Sequence, residues 1–175
     1  MRRLGFILMA ALGLTSCLSE PLWNGSPVLQ GEVSINLRQE PDMTATKAEE
    51  GLPEVNDFIV EVQETATSRL FFRKTYAEAQ GVRIPLNKGE HRLFAYYGDP
   101  QKAGFKACYY AAETFFQVEA NQLMQVDAVA RLENAKVAVN FGPTLNFDYE
   151  QFYAEVVASN GARLTFLKSE TRAGY

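Results

Sequence analysis

Histidine occurs once in this chain of 175 residues and cysteine twice, too few for most transition-metal sites or for a dense disulfide framework. Cationic surplus is also missing: 17 Lys and Arg face 21 Asp and Glu, a formal charge of −4. A nucleic-acid binder neutralises phosphates with clustered Lys and Arg, so that class is excluded. Beyond Cys17 no apolar run approaches the roughly twenty residues that a spanning helix requires. No amphipathic pattern longer than two helical turns follows Cys17 either. What the chain does hold is 47% hydrophobic residues broken by 12 Gly and seven Pro, ordinary globular composition that rules out wholesale disorder and collagen.

The first residues read as an address. Arg2 and Arg3 precede an apolar run of eleven residues, Leu4 to Leu14. A charged start, a short apolar core and small residues after it make a cleavable secretory signal over residues 1–16. Leu14-Thr15-Ser16-Cys17 resembles the bacterial lipobox, in which the cysteine is diacylated and becomes the first mature residue. Several acyl chains on one residue anchor firmly, since each buried CH₂ adds about 0.8 kcal/mol. The partner implied at Cys17 is membrane lipid. Leu18, rather than Asp, follows the cysteine and points to the outer membrane; Glu20 is the only acid nearby, so the periplasmic or surface side stays open. Residues 17–30 form a tether broken by Pro21, Gly25 and Pro27, with Trp23 as its one large apolar side chain.

From Gly31 the hydrophobic period becomes two, the signature of half-buried strands. Val33, Ile35 and Leu37 alternate with polar neighbours, as do Phe58, Val60 and Val62. Gln39 to Asn56 is polar and acidic and reads as a long loop with one helical turn near residues 45–50. Leu70 to Thr75 is a further strand, and Tyr76 to Gly81 is helical in propensity but short. Val82, Ile84 and Leu86 alternate up to a turn at Asn87-Lys88-Gly89; His91, Leu93 and Ala95 then share one face. Thr114, Phe116 and Val118 share another, followed by Met124, Val126 and Ala128. Val137, Val139 and Phe141 form the next strand pattern, and Phe152, Ala154 and Val156 the one after. Asn160-Gly161 predicts a two-residue type I′ hairpin, which needs φ > 0 at both positions, with Leu164 and Phe166 returning beyond it. Many short strands at close spacing predict an all-β sandwich over residues 31–131. Residues 132–175 hold only about three strands, an incomplete second β unit whose apolar face needs a cover.

Several of these segments carry a resemblance. Leu86-Asn87-Lys88-Gly89-Glu90-His91-Arg92-Leu93-Phe94-Ala95-Tyr96-Tyr97-Gly98 resembles the L-x-x-G-x-Y-x-v-x-A-x-x-G stretch of a Bacteroidetes lipoprotein family. That family is known as a domain of unknown function, and its members resemble fimbrillin-like sandwiches. Leu132 to Phe141, Leu164-Thr165-Phe166 and Arg172-Ala173-Gly174-Tyr175 resemble its later signatures. The resemblance implies an Ig-like or transthyretin-like antiparallel β-sandwich in the cell envelope, and no reaction. His91 stands where the family tends to have an inward aromatic.

Few residues offer chemistry. The nearest charges to His91, Glu90 and Arg92, lie on the opposite strand face, so His91 reads as a sheet residue without a nucleophile to serve. Cys108 lies among Ala107, Tyr109 and Tyr110 and reads as a packed thiol. Asn146, Asp148 and Glu150 would line one strand face, a solvated row rather than a cation loop. No catalytic residue, metal or cofactor is expected. Aromatics are more informative: Phe94, Tyr96 and Phe115 point away from the core face. If solvent-facing and coplanar they form a platform for a glycan, as in a lipoprotein of a polysaccharide-uptake system. If covered, they favour a structural, adhesive or fimbria-like role. The edge beside Leu164 and Phe166 is a candidate docking edge for a partner protein by β-strand addition.

Overall fold

The computed structural model describes residues 28–41 and 53–175. The lipobox cysteine, Trp23 and the helical turn expected near 45–50 lie outside those residues. Among the described residues nine strands and two short α-helices follow in order, with a 3-10 turn at Val55–Asp57. They are β1 (Gln30–Gln39), β2 (Ile59–Glu64), β3 (Leu70–Thr75), α1 (Tyr76–Ala79), β4 (Ile84–Asn87), β5 (Gly89–Tyr97) and β6 (Tyr110–Val118). β7 (Leu123–Leu132), α2 (Pro143–Asp148), β8 (Tyr153–Val157) and β9 (Arg163–Leu167) complete the set.

The first seven strands form one ribbon in the order β3-β2-β5-β6-β7-β1-β4. β6 and β7 pair as a ladder at only two positions, Tyr110 with Leu132 and Ala111 with Arg131. The ribbon therefore splits there into two leaves, β3-β2-β5-β6 and β7-β1-β4. Their inner faces close on one core, as the alternation demands of two half-buried sheets. Val33, Ile35 and Leu37 meet Val126, Ala128, Phe58, Val60, Val62, Leu93, Phe116 and Val118, all buried. The all-β sandwich expected from the periodicity is thus the fold. One pairing departs from a purely antiparallel scheme, because β1 runs parallel to β7 over Glu32–Gln39.

Local chemistry explains the seams. β4 covers β1 only as far as Val33, paired with Ile84. Beyond it the buried Tyr76 hydroxyl accepts the Leu37 N–H at 3.1 Å, so a phenol continues where the strand stops. Tyr76 is delivered by α1, whose first turn is closed by Glu78: its carboxylate accepts from the Thr75 N–H at 3.2 Å and the Thr75 hydroxyl at 2.9 Å. Those two bonds hold the Glu78 carboxyl below its ordinary value. Val82, expected in line with Ile84, lies exposed before β4 begins, because the short helix ends in a turn at Gly81.

Three further expectations are corrected in the C-terminal unit. Residues 137–141 make no strand, only an isolated bridge between Val137 and Gly174. Gly142-Pro143 opens a helix instead of ending a strand, since proline fits the first helical position. Asn146 and Asp148 therefore lie on α2, with Glu150 just beyond it, and not along a strand face. At Asn160-Gly161 the hairpin forms, but only Gly161 has positive φ, at 85°. Ala158 pairs with Ala162, and the Gly161 N–H returns to the Ala158 carbonyl at 2.9 Å. That is a three-residue loop, a type I turn closed by a left-handed glycine.

Candidate functional site

Two surfaces held candidate residues. The first is the outer face of the β3-β2-β5-β6 leaf. Arg92, Phe94 and Tyr96 alternate outward along β5, which brings the Phe94 and Tyr96 rings to 5.2 Å and within 29° of parallel. On the other side of Phe94 the Arg92 guanidinium stands 5.6 Å from the ring centroid. Phe94 thus stands between two neighbours of its own strand, and its ring faces are turned toward them. The polar groups here are mutually engaged as well. Glu61 accepts from Tyr96 at 3.2 Å and pairs with Arg73 at 3.1 Å, while Arg73 also donates to the Tyr96 hydroxyl. Arg92 reaches Glu113 at 3.0 Å and Gln63 at 3.3 Å. Phe115, beside Arg92 in the register, is 56% exposed and has no ring stacked on it among the described residues. Nearby, burial, then Glu133, then Tyr96 push the Tyr109 phenol up.

The second surface is the C-terminal unit, which folds back through Phe105 in the loop between β5 and β6. Phe166 is wholly buried and meets Phe105 edge-on at 5.2 Å. The Arg172 guanidinium lies 4.7 Å from the same ring, held by Glu170 at 2.7 Å. Gly174 passes so close that a Cβ there would collide with Leu164. Backbone bonds of 2.8 Å join Gly174 to Val137 in both directions, and bonds of 3.0 Å join Tyr175 to Gly104. Sequence reasoning did not find Phe105. Its only signal was an aromatic in a Gly- and Lys-rich loop, which normally marks nothing.

The register shows what the unit leaves open. The Ala158–Ala162 hydrogen bond sets the phase of the β8–β9 ladder, so residues 154, 156, 164 and 166 bond inward. The backbone groups of Glu155, Val157, Arg163 and Thr165 face the free edges, and none has a backbone partner among the described residues. Because Leu164 and Phe166 bond their backbone groups to β8, the edge beside them is carried by Arg163 and Thr165. On the outer face, Tyr153 and Leu167 oppose each other across the strands, both more than half exposed. Phe147 on α2 is 91% exposed. A groove of about 930 Å³ opens between the end of α2 and this face. Lys168 ties the two together, donating to the carbonyls of Tyr149 at 2.8 Å and Asn146 at 3.2 Å.

The two buried groups singled out by sequence are packing residues. His91 is wholly buried between Phe71 and Phe116, at 5.5 and 5.8 Å, and its Nε2 donates to the Asn87 carbonyl at 2.8 Å. Nδ1 has no partner. Cys108 is a buried free thiol, and burial pushes it up from its ordinary value. Among the described residues no cluster of His, Cys, Asp and Glu is arranged to hold a metal ion.

A family model matches residues 30–175, from the first strand of the sandwich through the Tyr175 contact. The chain belongs to DUF4493, a domain of unknown function. The DUF4493 match spans both the sandwich and the unit that folds back on Phe105. No curated protein and no solved structure matches the chain.

Proposed function

We propose that this DUF4493 chain is a non-enzymatic lipoprotein of the bacterial outer membrane, with a structural, adhesive or fimbria-like role exerted through its C-terminal unit. The basic start, the short apolar run and Leu14-Thr15-Ser16-Cys17 support acylation at Cys17. Among the described residues no helix is long and apolar enough to cross a membrane. The resemblance to Bacteroidetes envelope lipoproteins with fimbrillin-like sandwiches supports the same setting.

The observation that carries the reading is a polarity. β1 leaves the tether at Gln30, beside Asn87 and Asn121. Eight of its ten residues, Glu32 to Gln39, run parallel to β7 for about 25 Å, toward the end where Leu132, Phe105 and the C-terminal unit lie. The start of β1 and the exposed apolar unit therefore lie at opposite ends of the sandwich. A hairpin whose Arg163 and Thr165 backbone groups have no backbone partner among the described residues suits strand addition at that edge. In this reading the partner supplies one extended strand to that edge. The stacking of Phe94 against Tyr96 and Arg92, which turns its ring faces away from solvent, favours this role over a glycan platform on the β5 face.

Labelling cells with a radioactive fatty acid should mark the wild type and leave Cys17→Ala blank; label on the variant sinks the anchor. Thr165→Pro removes only an outward N–H, so it should keep the fold and abolish crosslinks from β9 to envelope proteins in intact cells. Undiminished crosslinking would refute the edge.

A further inference from the structure

We propose that the groove between α2 and the β8–β9 hairpin binds a neutral oligosaccharide, a site separate from the strand edge above. Its volume of about 930 Å³ falls within the ~300–1,000 Å³ of small-ligand clefts. Its floor is apolar and exposed: Tyr153 and Leu167 stand side by side, 68% and 60% accessible. Its rim is polar and unspent. Glu150, Gln151 and Ser169 line it and make no side-chain hydrogen bond or ion pair to any described residue. A sugar presents that same pair of surfaces, an apolar C–H face and an edge of hydroxyls that both donate and accept.

Charge selects against ions. The groove holds one carboxylate, Glu150, and one ammonium, Lys168. Lys168 is already committed to the Asn146 and Tyr149 carbonyls and lies over the Phe152 ring at 5.3 Å. It braces the groove wall and is a poor anion receptor. The β5 face makes the contrast: Tyr96, Glu61, Arg73, Arg92 and Glu113 satisfy one another. A sugar there would have to break those contacts, whereas in the groove it would make contacts that nothing else fills.

The test is a ligand titration followed by NMR on the full chain in a sugar-free polyoxyethylene detergent. Cellohexaose and mannohexaose are the neutral probes, and a galacturonic acid hexamer is the acidic one. The expected result is that a neutral hexaose binds and that Tyr153→Ala and Gln151→Ala each weaken it by at least about tenfold. Phe115→Ala should leave it unchanged. Both groove residues are exposed, and protected β8–β9 amides in each variant would verify that the hairpin stays folded. No shift with any probe at concentrations on the order of 10 mM overturns the proposal, as does loss of binding in Phe115→Ala alone or binding of the acidic hexamer only. Failed fatty-acid labelling at Cys17 would not touch this result, and a failed titration would leave the anchor and the Thr165 edge standing.

Discussion

The two parts of this molecule are built from the same strand chemistry and differ in what they do with their second face. Each leaf of the sandwich has a partner leaf, so Val60, Val62, Leu93 and Ala95 are wholly buried. The β8–β9 hairpin has no partner sheet among the described residues. It buries one side chain completely, Phe166, against a single loop aromatic, and turns Tyr153, Val157 and Leu167 outward. A two-stranded sheet is marginal on its own. The comparison teaches that stability here is concentrated in the sandwich, while exposed apolar surface and unspent polar groups collect where stability is least. Regions that bind are drawn from that end of the scale.

The sharpest way to break the contrast is to empty the core. Leu93 sits at the centre of β5 with no exposed surface. Leu93→Ala should lower stability by about 2–5 kcal/mol, read as a shifted denaturation midpoint across the whole domain. Leu167→Ala, on the exposed face of β9, should stay within about 0.5 kcal/mol. Equal effects from the two would erase the distinction.

Phe166→Ala comes next. Its ring joins the hairpin to Phe105, so truncation should release the unit and leave the sandwich standing. Amides of residues 153–167 should exchange at least about tenfold faster, a fall of about 1.4 kcal/mol or more in local opening free energy, with β1 and β7 protection unchanged. Loss of protection throughout would mean that the two parts fold as one cooperative block.

How much of this was legible in the sequence divides along the same line. Period-two alternation marked Val33, Ile35, Leu37, Phe58, Val60, Val62, Leu93, Phe116, Val118 and Val126, and each is buried, because two faces that both need covering leave a strong pattern. The same reading overextended at Val137–Phe141, where apolar residues alternate but only Val137 finds a strand partner. Alternation records which side chains prefer burial and says nothing about whether a neighbouring strand exists. The β5 rings were correctly turned outward, but rotation against each other is a side-chain event with no sequence mark. Phe105 escaped for a similar reason: its role comes from the chain returning at Phe166 and Arg172.

His91→Phe probes the sandwich where it is least ideal. The imidazole occupies an aromatic slot between Phe71 and Phe116, with Nδ1 unsatisfied. A phenyl ring removes that orphan at the expense of the Asn87 carbonyl contact, whose residue is only half-buried and can meet water. Stability should hold or rise by up to about 1 kcal/mol by urea denaturation. A loss above about 2 kcal/mol would identify the Nε2 contact as a requirement of the fold.

The smallest effect belongs to the clasp on Phe105. Glu170 is held down to about 2 from 4.5 by hydrogen bonds from the Arg172 side chain and backbone. A depressed carboxyl stabilises the folded state above its unfolded value and loses that contribution as pH falls through the folded one. The contribution is therefore intact above about pH 4.5, declines below it and is gone below about pH 2. Because the Arg172 side chain is exposed to solvent, the energy is small and salt will screen it. A carboxyl-carbon NMR titration should give Glu170 a midpoint near 2, and Arg172→Gln should raise it toward 4.5. The same substitution removes the cation over Phe105, so amides around Gly174 should exchange slightly faster at neutral pH. A wild-type midpoint near 4.5 would mean that the Glu170–Arg172 clasp does not form in solution, leaving Phe166 and the backbone bridges at Gly174 and Tyr175 to hold the C-terminal unit alone.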